Sequence, residues 1–92
     1  MKIHVRYLAQ LKRAAGAGQE TVELADGAGL ADLLARLAEI HGDSLRSHLF
    51  DERGTRRRSL LISFGDRMLS AGDEPPLTDG ATITLMTPMS GG

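Results

Sequence analysis

The sequence contains no cysteine and no tryptophan among its 92 residues. Without cysteine the chain has no disulfide framework, no thiol nucleophile and no zinc site built on thiolates, and it cannot carry sulfur on a thiol. Aromatic residues make up only 3% of the chain, and 11 basic and 12 acidic residues give a formal net charge of -1. This balance argues against a general attraction to nucleic acid or to anionic membranes, and neither is an expected partner.

Long apolar runs are also absent. No stretch approaches the ~20 apolar residues that a membrane-spanning helix needs. The opening residues MKIHVRYLAQ alternate polar and apolar side chains and lack the continuous hydrophobic segment of a secretory signal. We therefore expect a cytoplasmic protein, and the length of the chain predicts one domain over residues 1–92.

The periodicity of the apolar residues predicts the secondary structure. The most regular pattern is that of an amphipathic helix over Leu30–His41, with apolar residues at i, i+3, i+4, i+7 and i+8. Shorter helices are predicted at residues 9–15 and 43–50, the second with Asp43 or Ser44 as its N-cap. Alternation and short apolar runs predict strands at residues 2–8, 19–24, 60–64, 67–69 and 82–87.

The order of these elements predicts the fold class. The first two strands form a hairpin, and the main helix then crosses over to a later strand, which suits a parallel pairing between the first and last strands. A helix packed across a sheet also gives the two layers that a small core requires. The predicted fold class is α+β: a ubiquitin-like β-grasp with a mixed sheet of four to five strands and one main helix. Residues 88–92 are expected to form a flexible tail.

The sequence contains three characteristic segments: VRYLAQLKRAAG (5–16), DGAGLADLLARLAEIHG (26–42) and LTDGATITLMTPMSGG (77–92). Together they resemble the ubiquitin-like sulfur carriers, the family that includes the small subunit of molybdopterin synthase and ThiS-like proteins. The first segment resembles the strand and short helix that open these proteins, and the second resembles their main helix. The third segment is the most specific, because its Gly-Gly comes just after the last strand of a β-grasp pattern. The resemblance covers nearly the whole chain.

The resemblance implies a chemical role for the end of the chain. In such proteins an ATP-dependent, E1-like enzyme adenylates the C-terminal glycine, and a sulfur donor protein then converts the adenylate to a thiocarboxylate. A synthase subunit, which is the large subunit in the molybdopterin case, accepts the sulfur. On this resemblance Gly92 carries the reactive carboxylate and needs no protease to expose it, while Gly91 and Ser90 thread the tail. The chain would not be an enzyme alone and would bind no cofactor, since its partner uses the ATP.

Apolar side chains near the tail predict a docking surface. Leu8 lies on the polar side of its strand, and Met86 and Met89 lie at predicted exposed positions, where methionine adapts well to partners. The alternative is that these side chains are partly buried under residues 43–58, although Met86 favours an interface. Pro88 ends the last strand and stiffens the base of the tail. Lys12, in the first short helix, is a further candidate for partner binding, although an ordinary exposed lysine is the simpler interpretation.

Departures from the family pattern leave the pathway open. The chain has Ser63-Phe64-Gly65 where the family often has Val-Asn-Gly, one proline at Thr87-Pro88 where it often has two, and an insertion-like segment at Leu49–Arg58. The sulfur could instead serve the synthesis of cysteine, a thiamin-like compound or a secondary metabolite.

Two other classes of function remain as alternatives. The chain could be a ubiquitin-like modifier that forms isopeptide bonds. It could also be a non-covalent binding module that uses the basic loop Arg53–Arg58 to bind nucleic acid or phosphate. A solvated loop explains these arginines more simply, and docking to an acidic partner is a further possibility. No metal site is predicted, because His4, His41 and His48 lack the spacing of metal ligands.

Overall fold

The computed structural model describes residues 1–70 and 72–88. A five-stranded sheet packs against the helices, so the predicted α+β class and β-grasp arrangement are confirmed. The predicted bounds agree with the observed ones to within one residue at each end. The elements are β1 (Lys2–Tyr7), α1 (Gln10–Ala15), β2 (Gln19–Glu23), α2 (Leu30–His41), α3 (Asp43–Leu49), β3 (Leu61–Phe64), β4 (Arg67–Met68) and β5 (Thr82–Met86).

The last strand lies in the centre of the sheet. The strand order is β2-β1-β5-β3-β4, and β5 pairs in parallel with β1, with Val5 opposite Ile83 and Tyr7 opposite Leu85. The β1–β2 and β3–β5 pairs are antiparallel. Both the predicted hairpin and the predicted parallel pairing are therefore confirmed. The chain leaves the sheet between two neighbouring strands rather than at an edge.

The hydrophobic core fills the space between one face of the sheet and α2. Alternation along β1 and β5 turns one set of side chains inward, while the apolar stripe of α2 faces them. Each such side chain stabilises the fold by roughly 1.5–3 kcal/mol through its burial. Leu24, which alternation predicts to point inward, is half-buried and packs against the margin of the core. The fully buried core residues include Ile3, Val5, Tyr7, Leu33, Leu34, Leu37, Ile83 and Leu85.

Glycine joins α2 directly to α3. Gly42 has a φ of 71°, a conformation that glycine adopts without strain, and it both ends α2 and precedes the first residue of α3. The predicted N-cap of α3, Asp43 or Ser44, is wrong because this tight junction leaves no extended residue between the helices whose side chain could cap α3. The Ser44 hydroxyl instead donates to the carbonyl oxygens of Ala14 and His41, at 3.1 Å each, and so ties α3 to α1.

A polar cluster joins the hairpin to the end of α2. The Tyr7 hydroxyl donates to Glu20 Oε2 at 2.6 Å, and His41 Nε2 is hydrogen-bonded to the same carboxylate oxygen. The rings of Tyr7 and His41 meet edge to face, with centroids 6.0 Å apart. Burial raises the pKa of Tyr7, and the hydrogen bond to Glu20 and the charge of that carboxylate raise it further. The cluster thus favours the protonated phenol.

The raised pKa of Tyr7 predicts that stability falls in alkaline solution. Above pH ~10 the unfolded chain loses its phenol proton while the folded chain keeps it, so the free energy of unfolding decreases as the pH rises. The contribution of Tyr7 is fully present below pH ~10 and declines above it by about 1.4 kcal/mol per pH unit. Urea unfolding at a series of pH values measures this slope.

The control for this prediction is Tyr7→Phe, which keeps the ring but has no phenol to titrate. Its free energy of unfolding is expected to lack the added alkaline slope, while the lysines contribute equally to both variants. Tyr7 is the only tyrosine in the sequence, so tyrosinate absorbance reports on this side chain alone. A native-state absorbance titration with an ordinary midpoint near ~10 would contradict the expected shift.

Candidate functional site

The described chain leaves the sheet at Thr87 and Pro88. Thr87 is half-buried and its hydroxyl lies 3.3 Å from Gln10 Oε1, within reach to donate to it, whereas Pro88 is exposed. Because proline has no N–H, Pro88 cannot extend the ladder of β5. Met89, Ser90, Gly91 and Gly92 lie outside the described residues, so the roles predicted for them stay predictions.

A row of apolar side chains crosses the outer face of the sheet beside this exit. Leu8 follows β1 directly, is 38% exposed, and donates its N–H to the carbonyl oxygen of Leu85 at 3.1 Å. Met86 belongs to β5, and it lies opposite Leu61 of β3, the strand on the other side of β5 from β1. Both side chains are half-buried. We call Leu8, Met86 and Leu61 the outer-face patch.

The backbone turn at Ala9 keeps Leu8 on this face. Ala9 has φ 53° and ψ -122°, a conformation that non-glycine residues rarely adopt, and it costs of order 1–3 kcal/mol. The turn redirects the chain from β1 into α1, with Leu11 N–H donating to the Leu8 carbonyl at 3.2 Å. Leu11 is fully buried while Leu8 remains exposed. The strained turn therefore separates a core leucine from a surface leucine only three residues away.

The structure brings the predicted docking residues together to different degrees. The expected exposure of Leu8 is confirmed, and Leu8 is hydrogen-bonded to Leu85, the residue before Met86. Met86, which was expected to be exposed, is half-buried. Lys12 is exposed and lines a shallow depression together with Leu8, while its alkyl chain packs near Gly18. Pro88 lines a different depression, on the α3 side of the exit. None of these positions by itself tests partner binding, which stays a prediction.

Leu61 was missed as a surface candidate in the sequence. The run Leu60–Phe64 is almost entirely apolar and so predicts a strand buried on both faces. The pairing of β3 with β5 decides otherwise, because it places Ile62 opposite the buried Leu85 and Leu61 opposite the outward Met86. The register of this pair, which no local pattern encodes, was the missing signal.

The histidines occupy three separate places. His4 lies 3.1 Å from the Thr21 hydroxyl on the outer face, His41 belongs to the polar cluster with Glu20, and His48 lies beside the tail exit. Within residues 1–70 and 72–88, no three His, Asp or Glu side chains group closely enough to hold a metal ion. In the same part of the chain, every helix is too short or too polar to cross a membrane.

Together, the sheet order, the helical crossover and the central last strand define a ubiquitin-like β-grasp protein. Residues 5–92 match the ThiS family, and the chain belongs to that family. Its sequence is 30% identical to the molybdopterin synthase sulfur carrier subunit of Chlamydomonas reinhardtii over 92 residues, which cover 100% of both chains.

Solved structures with the same fold include two of particular relevance. SAMP1 of Haloferax volcanii, a small archaeal modifier protein, superimposes with a TM-score of 0.87 at 23% identity over 100% of both chains. A complex of subunits 1 and 2 of the molybdopterin-converting factor from Helicobacter pylori contains a chain with a TM-score of 0.65 at 25% identity, again over 100% of both chains. The second structure shows a relative of this chain bound to a partner subunit.

The geometry of the patch predicts that Met86 contributes little to stability. Replacing it by glutamine, which has a similar length, should lower the free energy of unfolding by less than about 1 kcal/mol, because the side chain already meets solvent on the outer face. Leu85→Ala, one residue earlier but fully buried, should cost about 2–5 kcal/mol. Urea unfolding of the two variants measures the contrast. Equal losses would show that Met86 serves the core rather than a free surface.

Proposed function

We propose that this chain is a sulfur carrier that serves as the small subunit of molybdopterin synthase. In this proposal the carboxylate of Gly92 is adenylated, converted to a thiocarboxylate and used as the sulfur donor for molybdopterin. The observation that carries the proposal is the position of β5 in a member of the ThiS family: the strand is central, and its exit lies next to the outer-face patch. The 30% sequence identity to the sulfur carrier subunit of Chlamydomonas reinhardtii, over the full length of both chains, supports the proposal.

The chemistry explains why a small domain with a glycine tail suits this task. A carboxylate is a poor electrophile until adenylation gives it a good leaving group, and a sulfur nucleophile then displaces AMP at the same carbon. Both steps need an enclosed site that stabilises developing charge, and the partner enzyme supplies it together with ATP. Residues 88–92 span up to roughly 17 Å at ~3.3–3.6 Å per residue, enough to carry the carboxylate away from the domain surface.

Glycine is the residue that best fits the threaded part of such a tail. Without a Cβ, Gly91 and Gly92 pass a narrow channel at any backbone conformation that the channel imposes. Pro88 limits the freedom of the tail at its base because its ring fixes φ. In the proposed mechanism the chain contributes the reacting carboxylate, and all groups that activate it belong to the partner.

The outer-face patch would dock both partners in turn. An adenylating enzyme and a sulfur-accepting subunit each need the same carboxylate, and each must therefore cover the surface from which the tail departs. Leu8, Met86 and Leu61 offer the apolar centre that specific interfaces use. Because the two partners would cover the same patch, they would bind in alternation rather than together.

The proposal predicts a defined change in mass. Incubation with ATP, the E1-like adenylating enzyme of the same organism and a sulfur donor protein should raise the intact mass by about 16 Da, because one sulfur replaces one oxygen of the carboxylate. Intact-mass spectrometry measures the gain. No gain with an adenylating enzyme that is active on ATP would refute the carrier function.

A variant that lacks Gly92 is the matched control for this reaction. It should fold normally, because the last buried core residue within residues 1–70 and 72–88 is Leu85, and it should show no gain in mass. If the gain appears but covalent conjugates to other proteins accumulate in place of sulfur transfer, the chain is a modifier.

A second experiment identifies the acceptor of the sulfur. The thiocarboxylate form is mixed with either the large synthase subunit or a cysteine-synthase-like enzyme, and loss of the added mass shows which of them consumes the thiocarboxylate.

A further inference from the structure

We propose that the partner that takes the tail places a carboxylate in the notch beside Pro88, where it pairs with Arg57. The inference rests on the proposed function, since it concerns the partner that acts on the tail, and it names the chemistry that this partner must present. The notch is an open depression of about 320 Å³ where the described chain leaves the sheet. It is lined by Gln10, Ser47, His48, Arg57, Ser59, Thr87 and Pro88.

Arg57 is held in place by hydrogen bonds at its backbone and at the inner nitrogen of its guanidinium. Its Nε donates to the carbonyl oxygen of Ser47 at 2.6 Å, and its backbone N–H donates to the carbonyl oxygen of Leu49 at 2.9 Å. These bonds fix the side chain against the end of α3. The two terminal nitrogens keep the planar, forked geometry that matches a carboxylate.

Two nearby arginines form ion pairs within the described residues, whereas Arg57, like its neighbours Arg53 and Arg58, forms none there. Arg56 pairs with Glu74 at 2.8 Å and Arg46 with Asp43 at 3.3 Å. In residues 1–70 and 72–88 no carboxylate forms an ion pair with Arg57. Within that part of the chain, Arg57 therefore brings a positive charge without an ion-pair partner to the base of the tail, although Asp43, Asp51 and Glu52 line a second depression that Arg57 borders.

Desolvation then dictates what the partner must provide. The side chain of Arg57 is exposed to water in the free chain. A partner that encloses the tail beyond Pro88 covers this notch, and a charge that loses its water without gaining a counter-charge weakens the complex. An aspartate or glutamate of the partner restores the balance with charge-assisted hydrogen bonds. The position of Arg57 next to Thr87 and Pro88 makes the pairing part of tail recognition.

The competing occupant is the chain's own terminal carboxylate. If that group paired with Arg57, the side chain would compete with the partner for the tail, and removing its charge would assist adenylation. A partner carboxylate predicts the opposite sign, because removing the charge would weaken docking. Whether removal of the Arg57 charge weakens or assists adenylation therefore distinguishes a partner carboxylate from the chain's own terminal carboxylate.

The test is the ATP–pyrophosphate exchange that the adenylating enzyme of the same organism catalyses with this chain. Arg57→Gln should raise the apparent KM for the chain at least about tenfold with little change in kcat, because the lost contact is made in docking. The KM of the unaltered chain should rise with added NaCl, and the KM of Arg57→Gln should depend on NaCl more weakly. Arg57→Lys, which keeps the charge, should recover part of the loss.

Arg53→Gln is the matched control, because it removes the same charge from the same loop. Arg53 is exposed and lies in a depression that Arg57 also lines, but Arg53 does not line the notch beside Thr87 and Pro88. The KM of Arg53→Gln should stay within about twofold of the unaltered chain. Equal KM values for the Arg57 and Arg53 variants, or a lower KM for Arg57→Gln, would overturn the inference while leaving the carrier function intact. No exchange with the unaltered chain would instead refute the proposed function. Thermal unfolding checks that each variant folds. If Arg57→Gln does not fold, Arg57→Lys becomes the test variant.

Discussion

The parallel pairing of β1 with β5 is the constraint on which the rest of the structure depends. It requires a crossover between the opening hairpin and the last strand, and α2 supplies that crossover together with one side of the core. Because β5 enters between β1 and β3, its carboxyl end emerges in the middle of the sheet. Because β1 and β5 are parallel, the C-terminal end of β1 lies beside that of β5, and Leu8 is therefore close to the point where the tail leaves the sheet.

This arrangement separates the two faces of β5, because one packs in the core and the other faces outward, where we propose that partners dock. Ile83 and Leu85 are fully buried against the core, and Met86 turns to the outer face. A partner can therefore hold the outer face and draw on the tail without disturbing the packed face. The strained turn at Ala9 leads directly into Gln10, which lines the notch at Arg57 beside the exit. The surface that a partner would meet thus combines an apolar centre with one fixed positive charge.

Local patterns predicted the elements well, because each one carries its own period. The stripe over Leu30–His41 predicted α2, and alternation in the first and last strands was enough to assign Ile3, Val5, Ile83 and Leu85 to the core. The topology followed from the order of elements and the rule for crossover connections. The family followed from the segments that resemble its opening, main helix and closing strand.

The surface could not be predicted in the same way, because it depends on contacts between residues far apart in sequence. Leu61 reaches the outer face only through the register of β3 against β5. Arg57 acquires its place beside Pro88 through a hydrogen bond to the end of α3. The loop sequence alone favoured solvated arginines and could not single out Arg57 among the candidates for docking. Ser44 likewise bonds a carbonyl of α1 that its neighbours in the chain do not reveal.

The central claim is that sulfur is carried on the terminal carboxylate and nowhere else. The most direct measurement is top-down fragmentation of the intact protein purified from its own cells. The predicted result is a gain of about 16 Da that is confined to fragments containing Gly92, with fragments that end at Ser90 or earlier unchanged in mass. A gain carried by fragments that lack Gly92, or a wholly unmodified chain in cells that are making the sulfur-containing product, would contradict it.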